Sequence, residues 1–285
     1  MFVRLYKFRF PLLLASREVI LPVMWNRKQS NSGTCKTEVI EGSLRCFGCD
    51  RTYPIRGGIP DLAYPDELLE SDFKVLEFYE EFAEQYDHSA QVIAEQLRVD
   101  EDVLRNRKIS IVERLRLKPG EASLDVSCGT GTDLITMSGM TGGEGLLAGV
   151  DLSMVMLRVT QRKLDERGVR ADLYRANASY LPFEDRTFDS LYHFGGINTF
   201  GYKPRAIREM FRTAKDEARM VIADEGLAPG LEETEFGRHL LSKNKLFAMK
   251  PPLNDFLQNG LGSMKLEWVV KGSCYVIEIT KSISK

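Results

Sequence analysis

The chain has 285 residues, 43% hydrophobic and 28% charged, with a formal net charge of −2. Such a balance fits a globular chain, and near-neutrality leaves no electrostatic footprint for nucleic acid or an acidic membrane surface. Five cysteines, an odd number, argue against a disulfide framework and fit a reducing compartment. No apolar run reaches the roughly 20 residues that cross a bilayer. A cytoplasmic location is expected, and the oligomeric state is not legible.

In chain order, residues 1–25 carry Arg4, Lys7, Arg9 and Arg17 and no acid before Glu18. Their apolar core, FPLLLA, is short, and no small-residue cleavage site follows. The expectation for 1–30 is a poorly ordered extension, with Met24 as a second candidate start. A targeting segment, which implies an organelle, is the lesser alternative. Residues 31–65 hold short strand-like pieces, a Cys-x-x-Cys at Cys46 and Cys49, and breakers at Gly57, Gly58, Pro60 and Pro65. A β module this small cannot build much core and needs a metal or a larger domain to dock on.

From 66 onward one further domain is expected, to residue 285. Helical spacing marks 66–87, through Leu68, Leu69, Phe73, Leu76 and Phe82, and again 91–116, through Ile109, Val112 and Leu115. After the turn KPGE, strands and helices alternate. SLDVS is a strand and a helix starts near Gly131. LLAGVD is a strand, Ser153 an N-cap, and the helix over 154–167 stops at Gly168. ADLYRA, FDSLYHF, a helix over 204–214 and RMVIAD follow. A helix over 232–247 ends at KPP, and KLEWVV and CYVIEIT form two strands joined by KGS. The fold class is therefore α/β: a Rossmann-like, seven-stranded, mostly parallel sheet with helices on both faces and an antiparallel C-terminal strand pair, plus the small N-terminal β module.

The stretch DVSCGTGTDL at 125–134 is a strand-to-helix turn with Gly129 and Gly131 placed for close backbone approach to a ligand. The dinucleotide pattern G-x-G-x-x-G needs glycine at 134, where Leu134 stands, and no Gly-Lys-Ser/Thr follows for a phosphate loop. Twenty residues past Gly131, Asp151 ends the next strand, where an acid can accept both ribose hydroxyls of an adenosine.

With LDVSCGTGTDL, GVDLS and ANASYLPFEDRTFD in this order, the chain resembles the class I S-adenosylmethionine-dependent methyltransferases. The likeness is to the ubiquinone/menaquinone-biosynthesis branch and its type 11 domain, and it covers about 73–225 well. It implies S-adenosylmethionine as cofactor and a small-molecule methyl acceptor. It also implies that Asp125, Ser127, Gly129, Thr130 and Gly131 lie under the methionine part, that Asp151 binds the ribose, and that Leu152, Asn177 and Ala178 surround the adenine. His193 lies where the fourth strand opens onto substrate and is a candidate for both cofactor contact and catalysis. Tyr86, before Asp87, matches a lid tyrosine. Tyr192, Asp224 and Glu225 are further substrate-side candidates.

Two departures stand out. Ser127 replaces the first loop glycine, which is harmless if its φ stays negative. KDEAR at 215–219 replaces a Pro-Gly-Gly turn. Phe236, Leu240, Leu241, Leu246 and Phe247 hint at a lipophilic or aromatic acceptor, although packing on the sheet is the more ordinary use of such a stripe. The Cys module resembles a zinc ribbon found before some methyltransferases and as a free-standing methyltransferase activator. Cys35, Cys46 and Cys49 match three of its four thiolates, and Ser32 stands at the fourth. Since structural zinc takes four protein ligands, a degenerate, metal-free ribbon is favoured over zinc. The alternatives to a small-molecule enzyme are an RNA or protein methyltransferase and a non-catalytic scaffold of the same fold.

Overall fold

In the computed structural model, residues 39–46 and 51–283 are described. The expected extension at 1–30, Cys35 and Cys49 fall outside them. Strands β1 (Glu41–Arg45), β2 (Thr52–Arg56) and β3 (Ile59–Pro60) form a small antiparallel sheet, with Gly57 and Gly58 turning the chain between the last two at φ 54 and 82.

The two helices expected before the large sheet are subdivided. The first is α1 (Glu70–Phe82), which passes into a 3₁₀ turn at Ala83–His88, so Tyr86 lies on the 3₁₀ turn and not on an α-helix. The segment expected as one helix over 91–116 is instead α2 (Ser89–Leu97) and α3 (Glu101–Glu113). Arg98, at φ 52, closes α2 in a left-handed cap, and the extended Asp100 starts the next helix. A helical period survives such a break, which is why the pattern conceals it.

Near-continuous apolar runs then build a sheet covered on both faces. It comprises β4 (Ala122–Val126), α4 (Thr132–Thr141), β5 (Leu146–Asp151), α5 (Met154–Arg167), β6 (Asp172–Arg175), β7 (Phe188–Phe194), α6 (Lys203–Thr213) and β8 (Ala214–Glu225). Ser153 caps α5 by accepting from the Met156 N–H at 3.2 Å, and Gly168 ends it at φ 64. Seven strands run in the order β6-β5-β4-β7-β8-β10-β9, parallel from β6 to β8.

KDEAR is not a turn. It belongs to β8, whose register against β7 jumps from Phe188↔Ala214 to Ser190↔Arg219, with Glu217 at φ 61. The extra residues bulge, and the strand starts early. The expected helix over 232–247 is broken by its own polar side chains. Thr234 accepts from the Gly237 N–H at 3.0 Å and starts α7 (Glu235–Lys243), while Asn244 accepts from the Leu246 N–H at 2.9 Å in a new 3₁₀ turn. After a short α8 (Leu253–Leu257), β9 (Leu261–Val269) and β10 (Cys274–Lys281) close the sheet, β10 antiparallel to both neighbours.

Strand order reverses between β4 and β7. In open α/β sheets the carboxyl ends at such a switch point frame the ligand crevice. The turn after β4 and the turn after β7 face one another there.

Candidate functional site

Every second residue of the turn after β4 is left-handed: Ser127 at φ 60, Gly129 at 53 and Gly131 at 74. This overturns the expectation that Ser127 is benign, since the turn itself demands positive φ. Each glycine has its own reason. A Cβ on Gly131 meets Thr160 Cγ2 of α5 at 2.5 Å, whereas one on Gly129 meets nothing within 4 Å and points into open space. The Thr160 hydroxyl donates to the Gly129 carbonyl at 2.6 Å, and the Cys128 N–H donates to the Val150 carbonyl at 2.9 Å. The loop is thus held from α5 and β5 with one face left clear.

Asp151 closes β5. Its Oδ2 accepts from the Gly129 N–H and its Oδ1 from the Ser153 N–H, both at 2.9 Å. Burial raises its pKa, and these backbone bonds work in the opposite direction. Each oxygen keeps a second lone pair for a hydroxyl donor. Beside it, Asn177 Oδ1 accepts from the Ser179 N–H at 2.8 Å and caps a 3₁₀ turn that begins at Ala178. Leu152 and the Asn177–Ala178 pair therefore stand at the ends of adjacent strands.

Asp125 is buried, and its Oδ2 has no hydrogen-bond partner. Burial, then Asp133 and Asp151, push its carboxyl well above the usual range. Asp133, in the first turn of α4, is also raised by burial. Lys108 of α3 is the cation that opposes both shifts. This end of the sheet concentrates carboxyl groups whose ionised forms a cationic ligand would favour.

The 3₁₀ turn carrying Tyr86 is latched over this loop by Asp87. Its carboxylate accepts from Thr130 Oγ1 and from Lys163 Nζ of α5, each at 2.6 Å, and Lys163 also reaches Thr132 Oγ1 at 2.9 Å. Burial alone raises the Asp87 pKa, but the bonds from Lys163 and Thr130 outweigh it and hold the group below its ordinary value. The Tyr86 phenol is pushed up by burial and by Glu225, Asp133 and Asp151. Its ring packs edge-on against Tyr79. Sequence reading named Tyr86 as a candidate but did not see the contacts of Asp87. Lys163, three residues past Thr160 on one helix, is the signal that could have found them.

His193 requires correction as a catalytic candidate. Its ring is fully buried, Nδ1 donates to the Val126 carbonyl at 2.7 Å, and Nε2 accepts from the Ile197 N–H at 2.8 Å. Both nitrogens are engaged and burial lowers its pKa, so it is a neutral brace between the two crevice turns with no lone pair for a substrate proton. Asp224 is a second brace, accepting from the N–H groups of Gly196, Asn198 and Glu225 at 3.1, 2.9 and 2.7 Å. Tyr192 is buried with its phenol pushed well above the ordinary value by burial, then by Asp133 and Asp125. The Glu225 carboxyl is raised well above its usual range by burial and by Asp224.

The apolar residues near the C-terminus mostly pack. Leu240 and Phe247 are buried with Leu97 of α2, and Phe236 and Leu241 lie against them. Among the described residues no group of three or more His, Cys, Asp or Glu is arranged to hold a metal. Cys46 is buried at the end of β1. No described helix is long and apolar enough to cross a membrane.

The residues present fit S-adenosylmethionine. Gly129 leaves a space that a side chain would enter, Asp125 has an orphaned carboxyl oxygen, and Asp151 ends β5 with a free lone pair on each oxygen, as an acid that takes ribose hydroxyls requires. Strand order and loop together define the class I methyltransferase fold. The model of the ubiE/COQ5 methyltransferase family matches residues 68–231, and the chain belongs to that family. A demethylmenaquinone methyltransferase of Bacillus cereus (strain AH187) is 30% identical over 149 residues, which is 52% of this chain and 60% of the relative. The chain thus spans less than two thirds of the curated relatives it matches. Two solved structures share the fold. A Haemonchus contortus phosphoethanolamine N-methyltransferase 2 has a TM-score of 0.53 at 16% identity, over 62% of this chain and 53% of that one. The complex of the Haloferax volcanii Trm112 methyltransferase activator with a putative methyltransferase has a TM-score of 0.54 at 13% identity, over 72% and 98%.

Proposed function

We propose that the chain methylates a small aromatic or lipophilic acceptor, of the demethylated quinone type, using S-adenosylmethionine. The observation that carries the cofactor part is the Gly129–Asp151 hydrogen bond, which couples the glycine cradle to the ribose acid at neighbouring strand ends. The acceptor class rests on family membership and on the demethylmenaquinone methyltransferase relatives.

When bound, S-adenosylmethionine supplies an electrophilic methyl group on a sulfonium. The chain's own work is to bind, orient and exclude water. Asp151 takes the ribose hydroxyls, and Leu152 with Asn177 and Ala178 encloses the adenine. Asp125 and Asp133 favour the positive end of the ligand. Tyr86, latched through Asp87, closes the crevice from above. His193 and Asp224 fix the turn after β7, which forms the acceptor side. Glu225, whose carboxyl is raised by burial and by Asp224, ends β8 on the same side and is the candidate to meet an acceptor oxygen.

Isothermal titration of the full chain with S-adenosylmethionine tests the cofactor reading. The wild-type chain binds, and Asp151→Ala loses binding while its thermal unfolding stays cooperative. Unchanged affinity in that variant refutes the ribose assignment. Turnover to S-adenosylhomocysteine with a demethylated naphthoquinol, and none without it, tests the acceptor.

A further inference from the structure

The small N-terminal sheet is built into the edge of the large one. Beyond β3, Asp61 makes a parallel bridge to Arg175, the last residue of β6, and the Leu62 N–H donates to the Arg175 carbonyl at 2.8 Å. Arg175 sits two residues before Asn177 and is the register partner of Asp151. Its guanidinium is shared. Nη1 donates to Asp61 Oδ2 at 2.8 Å, and Nε donates to the Leu152 carbonyl at 2.9 Å. One side chain therefore joins the N-terminal module to the end of β5, from the strand that leads to the opposite wall of the adenine cleft.

We propose that Arg175 is a positioning residue through which the N-terminal module, by way of Asp61, sets the spacing between Leu152 and the Asn177–Ala178 pair and so the fit of the nucleoside. The proposal rests on the cofactor reading above.

Three observations support it. Arg175 and Asp61 are only 25% and 17% exposed, so solvent and salt screen the pair less than a surface pair. A planar guanidinium with donors on separate edges can hold two acceptors in fixed relation, which an ammonium cannot. The module is also anchored to α5. Arg158 and Gln161 donate to the Gly57 carbonyl at 3.2 and 2.8 Å, and a Cβ on Gly57 meets Arg158 Nη1 at 2.3 Å. The same helix presents Thr160 to the Gly129 carbonyl. The module thus grips both structures that frame the nucleoside. Asp61 and Arg175 line an open cavity of about 470 Å³, so water fills the space when either is shortened, and no dry void forms.

The test is titration of the full chain with S-adenosylmethionine and, separately, with 5′-methylthioadenosine, which lacks the amino-acid part. The variants are Asp61→Asn, Arg175→Lys, the double variant, and Asp66→Asn as control, because Asp66 pairs with Arg51 of the module at 2.9 Å on the wall of the same cavity but takes no hydrogen bond from Arg175. Asp61→Asn and Arg175→Lys each weaken both ligands by the same factor, about tenfold. The double variant is no weaker than Arg175→Lys, because the two act in one chain of contacts. Asp66→Asn leaves both affinities unchanged, whatever it does to the unfolding temperature. Wild-type affinity in the relay variants overturns the proposal alone. An equal loss in Asp66→Asn overturns it as well, by showing that any weakening of the module acts the same way. Absence of binding to the wild-type chain overturns the cofactor reading, and the relay with it.

Discussion

Ser127→Gly is expected to stabilise the protein. Ser127 has φ 60 in a turn whose neighbours at 129 and 131 are also left-handed, so the conformation belongs to the turn and not to the side chain. An L-residue held there costs about 1–2 kcal/mol, because Cβ crowds the following carbonyl. Glycine removes that strain but adds about 0.4–1 kcal/mol of unfolded-state entropy. The Ser127 hydroxyl has no hydrogen-bond partner among the described residues that could offset the difference. The net gain is about 0.5–1 kcal/mol, or roughly 1–4 °C in unfolding temperature for a chain of this size. Urea titration measures it as a higher midpoint at unchanged slope. A midpoint that is unchanged or lower refutes the strain argument and implies that the serine hydroxyl, or a different backbone conformation, is holding the turn.

Gly131→Ala should destabilise by about 2–3 kcal/mol, combining left-handed strain with overpacking against Thr160, and adding Thr160→Ser, which deletes the clashing methyl but keeps the hydroxyl, should recover part of the loss in the same urea assay. His193→Phe should cost about 3 kcal/mol, since it orphans the Val126 carbonyl and the Ile197 N–H; a loss of turnover without loss of stability returns His193 to the chemistry. S-adenosylmethionine affinity should fall as pH falls through the raised pKa values of Asp125 and Asp133, because each takes up a proton there and ceases to attract the cation. Calorimetry in buffers of different ionisation enthalpy should register proton release on binding, and proton uptake contradicts the assignment. In the free protein the sign is reversed. Groups raised above their unfolded values stabilise in acid and lose that contribution as pH rises through the folded values. Asp87, whose pKa is lowered, stabilises above its unfolded value and loses this as pH falls through the folded one.

The mostly parallel sheet, its antiparallel C-terminal pair and the glycine turn were legible in the sequence because each depends on local pattern; the order of strands was not. Apolar runs mark buried strands, and Asp151 lies at a spacing that only adjacent strand ends satisfy. The helix breaks at Arg98, Thr234 and Asn244 were not legible, because a single left-handed residue or a capping side chain interrupts a helix without altering its apolar period. Ser127 shows a different limit. The sequence says that a glycine is missing, but only the backbone says whether the position needs one. His193 shows a third. A histidine at a strand end invites a catalytic role, and the decision lies with Val126 and Ile197, which contribute backbone atoms and leave no side-chain signature.

Helix α5 is the extreme case. Arg158 and Gln161 hold the N-terminal module, Thr160 holds the glycine turn after β4, and Lys163 holds the 3₁₀ turn at Asp87. The two pairs, each spaced three apart, lie on different sides of the helix: Thr160 is buried beside Met156 and Leu164, while Arg158 and Gln161 turn away from them. In sequence these four polar residues carry no sign of a shared task. In the fold they bond to other elements' carbonyls and carboxylates. One helix therefore senses the module and both turns together. Disturbing the module's grip on Arg158 and Gln161 should reach the cofactor through a shift of α5 as well as through Arg175, which is why the relay must be tested with substitutions at Asp61 and Arg175 that leave α5 untouched.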